Sequence, residues 1–232
     1  MLSIVIPAYN EEQRIRATIS SYNSHLRKEL GKGYEIVVVC DGTDKTASIV
    51  KGMAAKEKKI RLMSFGQKLG KGGAIMKGFE AAKGSSIGFT DADEAVSPED
   101  FLGMAKKLKE WDCVIASRRA KGAKILAKQP LQRRVLSKIF NILLNLLFGF
   151  GISDTQCGAK VMERKAYESV KGKLVSMGFE FDAELLWRIK SAGFSIKEYP
   201  IAWRHTKYSK FQTFKKGPGM LFSLISLRLK GT

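Results

Sequence analysis

Cysteine is scarce in this 232-residue chain: Cys40, Cys113 and Cys157 are odd in number, far apart and never paired as C-x-x-C. Such spacing excludes a disulfide framework and a zinc site, and points to a reducing, cytosolic setting. Histidine is scarcer still. His25 and His205 lack metal-ligand spacing, and His25 reads as a helix-surface residue. No G-x-G-x-x-G follows the first apolar run; Pro7-Ala8-Tyr9-Asn10-Glu11-Glu12 stands there instead, which disfavours a dinucleotide site. No apolar stretch reaches the roughly 20 residues that span a bilayer. The opening Met1–Pro7 is short and has no basic n-region, so it reads as a first strand and not a signal peptide.

Acidic residues are also few, 22 against 41 Lys and Arg, leaving a formal charge of +19. An excess of that size draws a protein to polyanions: nucleic acid, an anionic membrane face or phosphorylated substrates. The charge is concentrated in the second half. Eight Lys/Arg and no acid lie between Arg118 and Lys138, and five between Arg204 and Lys216, again with no acid. Residues 118–138 contain no aromatic side chain either. Nucleic-acid binding, which interleaves aromatics with basic residues, is therefore disfavoured. With 44% hydrophobic residues and no low-complexity run, the length suits one α/β domain, 1–232.

Apolar runs at Leu2–Ile6, Ile36–Cys40, Arg61–Phe65, Ser86–Thr90 and Cys113–Ser117 alternate with helical segments, which predicts a mostly parallel sheet with helices on both faces. Asn10 is expected to cap the first helix, Thr43 or Asp44 to start the second, and Ser97-Pro98-Glu99 a later one. Gly66–Gly73 reads as a basic loop leading into a helix over Ala74–Ala82. It is one residue too short for a P-loop and has Gly72 where Ser or Thr would hold Mg²⁺. Lys71 there is a candidate pyrophosphate contact or part of a plain solvated turn.

Ligands of such sheets sit beyond the carboxyl ends of the strands. Three of those ends carry Tyr9 and Glu11, Asp41, and Asp91-Ala92-Asp93. Carboxylates pooled in one crevice repel unless a cation or a donor-rich ligand lies among them. Asp91 and Asp93, two residues apart where a strand ends, are candidates to share Mg²⁺ or Mn²⁺. Asp41 and Asp91 also read as helix caps.

The strand-end motifs Ile4–Glu12, Val39–Asp44, Lys71–Ala74 and Asp91–Asp93 resemble those of the GT-A (Rossmann-like) glycosyltransferases of family 2. Asp154-Thr155-Gln156-Cys157-Gly158-Ala159-Lys160 and Phe179–Leu186 resemble the polyprenyl-phosphate branch, nearest to dolichyl-phosphate glucosyltransferases and more distantly to the mannose synthases. The resemblance implies transfer of a hexose, with inversion, from a UDP- or GDP-linked sugar to dolichyl or polyprenyl phosphate. Pro7, Tyr9, Glu11, Asp41, Lys71, Asp91 and Ala92 would bind the nucleotide sugar, and Asp93 would hold the metal. Glu94 or water would complete its shell, because Ala95 stands where the mannose synthases often carry Gln.

Arg118 matches the family's Ser-Arg after the fifth strand and would face the transferring phosphates, while Arg204 and Lys210 resemble a later basic pair. Arg133 and Arg134 add to the cations available to an acceptor phosphate. Gln156 belongs to the acceptor loop by the same resemblance, with Asp154 and Asp182 orienting the acceptor, acting as base, or serving as structural residues. Residues 1–117 would then form the nucleotide-sugar half and 118–232 the acceptor- and membrane-facing half.

Ile139–Ile152 is an uncharged run of 14 residues entered by Arg133, Arg134 and Lys138, and Met220–Leu227 lies between Lys215/Lys216 and Arg228/Lys230. Both fit interfacial amphipathic helices. They predict a peripheral protein on the cytoplasmic face of a membrane, with no transmembrane helix, and leave a homo-oligomer open.

Overall fold

The computed structural model describes residues 1–127, 131–204 and 213–230. Its first half follows the apolar runs closely: β1 (Leu2–Ala8), α1 (Ile15–Leu30), β2 (Tyr34–Cys40), α2 (Thr46–Ala54), β3 (Ile60–Ser64), α3 (Gly70–Ala81), β4 (Ser86–Thr90), α4 (Pro98–Lys106) and β5 (Cys113–Ser117). The second half adds β6 (Lys124–Ala127), α5 (Leu131–Phe148), β7 (Ala159–Glu163), α6 (Arg164–Glu168), α7 (Phe181–Ser191), β8 (Ile196–Pro200), β9 (Ala202–Arg204) and α8 (Thr213–Lys230).

Seven strands form one sheet in the order β3-β2-β1-β4-β7-β5-β8, and β6 pairs with β9 in a separate ribbon. Every residue of β2 is buried, as a strand covered on both faces must be. Ile4, Ile6, Ile36 and Val38 pack against α1 and α4, whereas Val5, Val37 and Val39 face α3 and α7, so period-2 alternation sorts one strand's side chains into two cores. Helix α3 lies so close to β1 that a Cβ at Gly78 would sit 2.3 Å from Val5 Cγ1. Helix α4 opens as expected, with the Ser97 side chain accepting from Asp100 N at 3.1 Å and Pro98 in the first turn.

Strand β7, unanticipated in the sequence, lies between β4 and β5 and runs antiparallel to both. Thus the two halves of the chain share one sheet. Two expectations are corrected. Asn10 does not cap α1, which begins at Ile15; at φ 57° its Oδ1 accepts instead from Thr43 N at 2.8 Å and Asp44 N at 3.3 Å, tying the end of β1 to the end of β2. Helix α3 starts at Gly70, not Ala74, so Lys71 belongs to its first turn.

Helices α5 and α8 pack together, α5 burying Leu144 and α8 burying Met220, Leu224 and Leu227. Each turns a second apolar stripe outward. On α5 it comprises Val135, Ile139, Ile142, Leu143 and Leu146, and on α8 Phe222, Ile225 and Leu229. The spacings of three, four and seven residues place each set on one helical face. Among the described residues, no helix is long and apolar enough to cross a membrane.

Candidate active site

The turn after β4 is shaped by α1. Tyr22 Oη donates to Val96 O at 2.9 Å and accepts from Thr90 Oγ1 at 3.1 Å, and Thr18 Oγ1 donates to Ala92 O at 2.8 Å. Glu94, at φ 53°, accepts from Ser21 Oγ at 2.6 Å. It is turned onto α1, which favours water, the other of the two expected alternatives, to complete a metal shell. Asp93 Oδ1 accepts from Ala95 N at 3.1 Å.

Beyond the carboxyl ends of β1, β2 and β4 lies a cavity of about 550 Å³. It gathers all eight residues expected in the nucleotide-sugar and metal sets: Pro7, Tyr9, Glu11, Asp41, Lys71, Asp91, Ala92 and Asp93 all line it. Arg14, Lys68 and Glu180 line it too, as do Met220 and Ser223 of α8. Lys68 Nζ lies 4.4 Å from the centre of the Tyr9 ring, a cation over an aromatic face. Sequence reasoning missed these additional residues. Lys68 in the glycine-rich segment and Glu180 beside Asp182 were the available signals.

Four amides at the start of α3 are already satisfied. Asp41 Oδ2 accepts from Leu69 N at 2.8 Å and Gly70 N at 3.1 Å, and Met177 O accepts from Gly72 N at 2.8 Å and Gly73 N at 3.2 Å. This helix start is therefore not a phosphate cradle of the P-loop kind. Asp41 caps α3 with one oxygen while lining the cavity. Lys71 is bracketed by carboxylates, its Nζ lying 3.0 Å from Asp91 Oδ1 and 2.9 Å from Asp182 Oδ2. Burial would lower its pKa, but Asp182 and then Asp91 hold it well above the ordinary lysine value.

No group of three or more His, Cys, Asp or Glu is gathered for a metal among the described residues. Asp91 and Asp93 nevertheless suit a hard cation that takes one or two protein carboxylates and fills its shell with phosphate oxygens and water, the habit of Mg²⁺ at nucleotide sites. All three cysteines are free and buried, and burial pushes each thiol up to about 12, leaving them inert as nucleophiles or ligands at neutral pH.

A second cavity, of about 300 Å³, is basic: Arg118, Arg119, Arg134 and Lys138 line it together with Trp203 and Val135. Arg118 is held from behind. Its Nε donates to Asp154 Oδ2 and its Nη2 to Asp154 Oδ1, both at 2.7 Å, and its backbone N to Oδ2 at 2.9 Å. Burial alone would raise the Asp154 carboxyl, yet Arg118 outweighs it and keeps it below the usual carboxylate range. Glu198 accepts from Asp154 N at 3.1 Å and Ser153 N at 2.9 Å. Two asparagines of α5 complete the support. Asn141 Oδ1 accepts from Thr155 N at 3.1 Å, and Asn145 Oδ1 from Ile152 N at 3.1 Å.

Asp182 is likewise committed, to Lys160 and Lys71, and these lysines hold it low against the opposing pull of burial. Asp154 and Asp182 are therefore ion-paired carboxylates, which disfavours either as a base. Gln156 lines neither cavity, and its Nε2 is buried without a hydrogen-bond partner among the described residues. Lys210 and the side chains of Arg133 and Arg204 lie outside the described residues.

Residues 3–171 match the model of glycosyl transferase family 2. Glycosyltransferase AglD of Haloferax volcanii is 32% identical over 87% of this chain, which covers only 33% of that protein. The dolichyl-phosphate beta-glucosyltransferases of Drosophila melanogaster and Homo sapiens are 32% and 31% identical over 92% and 99% of the chain, which spans 70% and 75% of their lengths. Among solved structures, mannosyl-3-phosphoglycerate synthase from Rubrobacter xylanophilus superposes with a TM-score of 0.74 at 17% identity, covering 100% of this chain and 74% of that one. Glucosyl-3-phosphoglycerate synthase from Mycobacterium tuberculosis, crystallised with Mn²⁺, UDP and phosphoglyceric acid, gives 0.72 at 20%, covering 99% and 78%. At these identities the structural likeness speaks for the fold alone.

Proposed function

Because the chain belongs to glycosyltransferase family 2, we propose that it transfers glucose from a nucleotide diphosphate sugar to a polyprenyl phosphate, with inversion, at the cytoplasmic surface of a membrane. One observation carries this reading. Asp91 at the carboxyl end of β4 and Arg118 at that of β5 stand on the same edge of one sheet, since both strands run antiparallel to β7, and each lines its own cavity there. A donor lying among carboxylates and an acceptor phosphate lying among guanidinium groups would meet there.

The acidic cavity takes the nucleotide sugar, with Tyr9 and Asp41 beside the nucleoside. Asp91 and Asp93 would hold Mg²⁺ or Mn²⁺, which when bound supplies the charge that stabilises a departing diphosphate. A lipid monophosphate, with a second pKa near ~6, is already largely ionised at neutral pH, so no general base is required. Arg118 and Arg134 orient it, planar forks matching phosphate oxygens. The acceptor oxygen bonds to the anomeric carbon from the face opposite the leaving group, and the bond from that carbon to the diphosphate oxygen breaks. Asp154 keeps the Arg118 fork in place, and the outward stripes of α5 and α8 rest on the bilayer that carries the acceptor.

The test is a donor panel of UDP-glucose, GDP-mannose and UDP-N-acetylglucosamine with a polyprenyl phosphate and Mn²⁺. A glucosyl-phospholipid formed from UDP-glucose is expected. Turnover only with a saccharide hydroxyl acceptor would overturn the acceptor assignment, and transfer from GDP-mannose alone would overturn the sugar.

A further inference from the structure

Four charges alternate in a row from the core to the wall of the acidic cavity: Lys160 of β7, Asp182 of α7, Lys71 of α3 and Asp91 at the end of β4. Their side chains are 0%, 1%, 8% and 39% exposed in that order; the last two line the cavity, and Asp91 is much the more open. Lys160 Nζ contacts Asp182 Oδ1 and donates to Cys157 O at 3.0 Å. Asp182 Oδ2 holds Lys71, and Lys71 holds Asp91 Oδ1. Behind Asp91, its backbone N donates to Gly158 O at 3.0 Å, and a Cβ at Gly158 would lie 1.9 Å from Asp91 Oδ2.

Replacing a buried ion pair with apolar side chains is often neutral or stabilising, so stability alone is a weak reason for such a row. The row has another use. An ammonium between two carboxylates settles where their pulls balance, and the deeper one, in the lower dielectric, pulls harder. Lys160 takes up half of Asp182, which leaves Lys71 free to reach outward. We propose that Lys160 and Asp182 are positioning residues that aim the Asp91 carboxylate into the cavity through Lys71, an inference that rests on the donor-site reading above. Without Lys160, Asp182 claims Lys71 and Asp91 loses its anchor. With both Lys160 and Asp182 made neutral, Lys71 has Asp91 as its sole carboxylate partner in the row, and the aim is restored.

That last point separates positioning from bulk stability. In the full chain, Lys160→Met is expected to lower kcat about 30-fold, as small misplacements of reacting groups do, with the donor KM changed less than about threefold. Mn²⁺ affinity, read by electron paramagnetic resonance, falls with it. The double variant Lys160→Met/Asp182→Asn, although it removes more native contacts, recovers kcat and Mn²⁺ affinity to within about fivefold of the unsubstituted protein. A folded Lys160→Met with unchanged kcat and Mn²⁺ affinity, or a double variant no better than the single, overturns the proposal. If Lys160→Met does not fold, Asp182→Glu, which keeps every charge but moves one carboxylate, must show the same losses; retention of both readouts overturns it. If the unsubstituted protein transfers no sugar, the functional reading fails by itself. The positioning row is then judged by Mn²⁺ affinity and by a crystal structure of Lys160→Met, in which Lys71 still bridging Asp91 and Asp182 would refute it.

Discussion

The acidic and basic cavities are built on opposite plans. Around the first, Asp91 and Asp93 stand where a strand stops and the chain turns, both partly exposed; Asp91 meets Lys71, Asp93 accepts from Ala95 N, and hydroxyls of α1 hold the turn at Thr90 and Ala92. Around the second, Arg118 is useful only because Asp154, thirty-six positions later, grips it in a buried pair. Losing a partly exposed carboxylate such as Asp93 costs a fold little, because water screens its interactions, whereas removing one member of a buried pair strands the other.

The sharpest break in that comparison is Asp93→Ala. It should reduce transfer at least about a thousandfold, on the scale of removing a charge-stabilising group from a transition state, while circular dichroism and the melting temperature stay near those of the unsubstituted protein. Arg118→Ala should also abolish transfer but, unlike Asp93→Ala, should cost about 3–5 kcal/mol in urea unfolding, because Asp154 is left buried without its partner. A stable Arg118→Ala would dissolve the distinction between the two sites.

Acid should weaken the second site selectively. Asp154 has a folded pKa below its unfolded value of about 3.9, so its contribution is complete above that value and disappears as pH falls through the lowered one. The stability gap between the unsubstituted protein and Asp154→Asn should accordingly be full near neutrality and close as pH falls below the unfolded value of about 3.9. A gap that widens with acid would contradict the pairing. The smallest effect on the fold is expected from Leu146→Glu with Phe222→Glu, residues that are 79% and 75% exposed. Stability should move by less than about 0.5 kcal/mol per site, and turnover of a short soluble acceptor should hold, while sedimentation with anionic vesicles is lost.

The same contrast governs what could be read beforehand. The strand-end residues were legible because β-branched runs ending in Asp, Asn or Pro announce both the strand and its carboxyl end. All eight expected donor-site residues line one cavity. The amphipathic runs of α5 and α8 were legible as well. By contrast, β7 escaped notice: Ala159–Glu163 is five residues long with Lys160 at its second position, and a lysine in a central strand argues against burial until Asp182 is seen beside it. The pairing of Arg118 with Asp154 was hidden for a similar reason, since no local pattern encodes a contact made only after the chain has crossed the molecule. Glu94 stood open beside water because acidic neighbours look alike in sequence, and the positive φ that turns it onto Ser21 does not show there.

The placement of β7 also bears on how the chain is made. During synthesis β4 and β5 leave the ribosome before the strand that must lie between them, so both wait with a hydrogen-bonding edge bare. Closure of the sheet is deferred until Ala159–Glu163 has emerged. Nascent chains arrested short of that strand should be digested rapidly by protease, and those arrested well past it should resist.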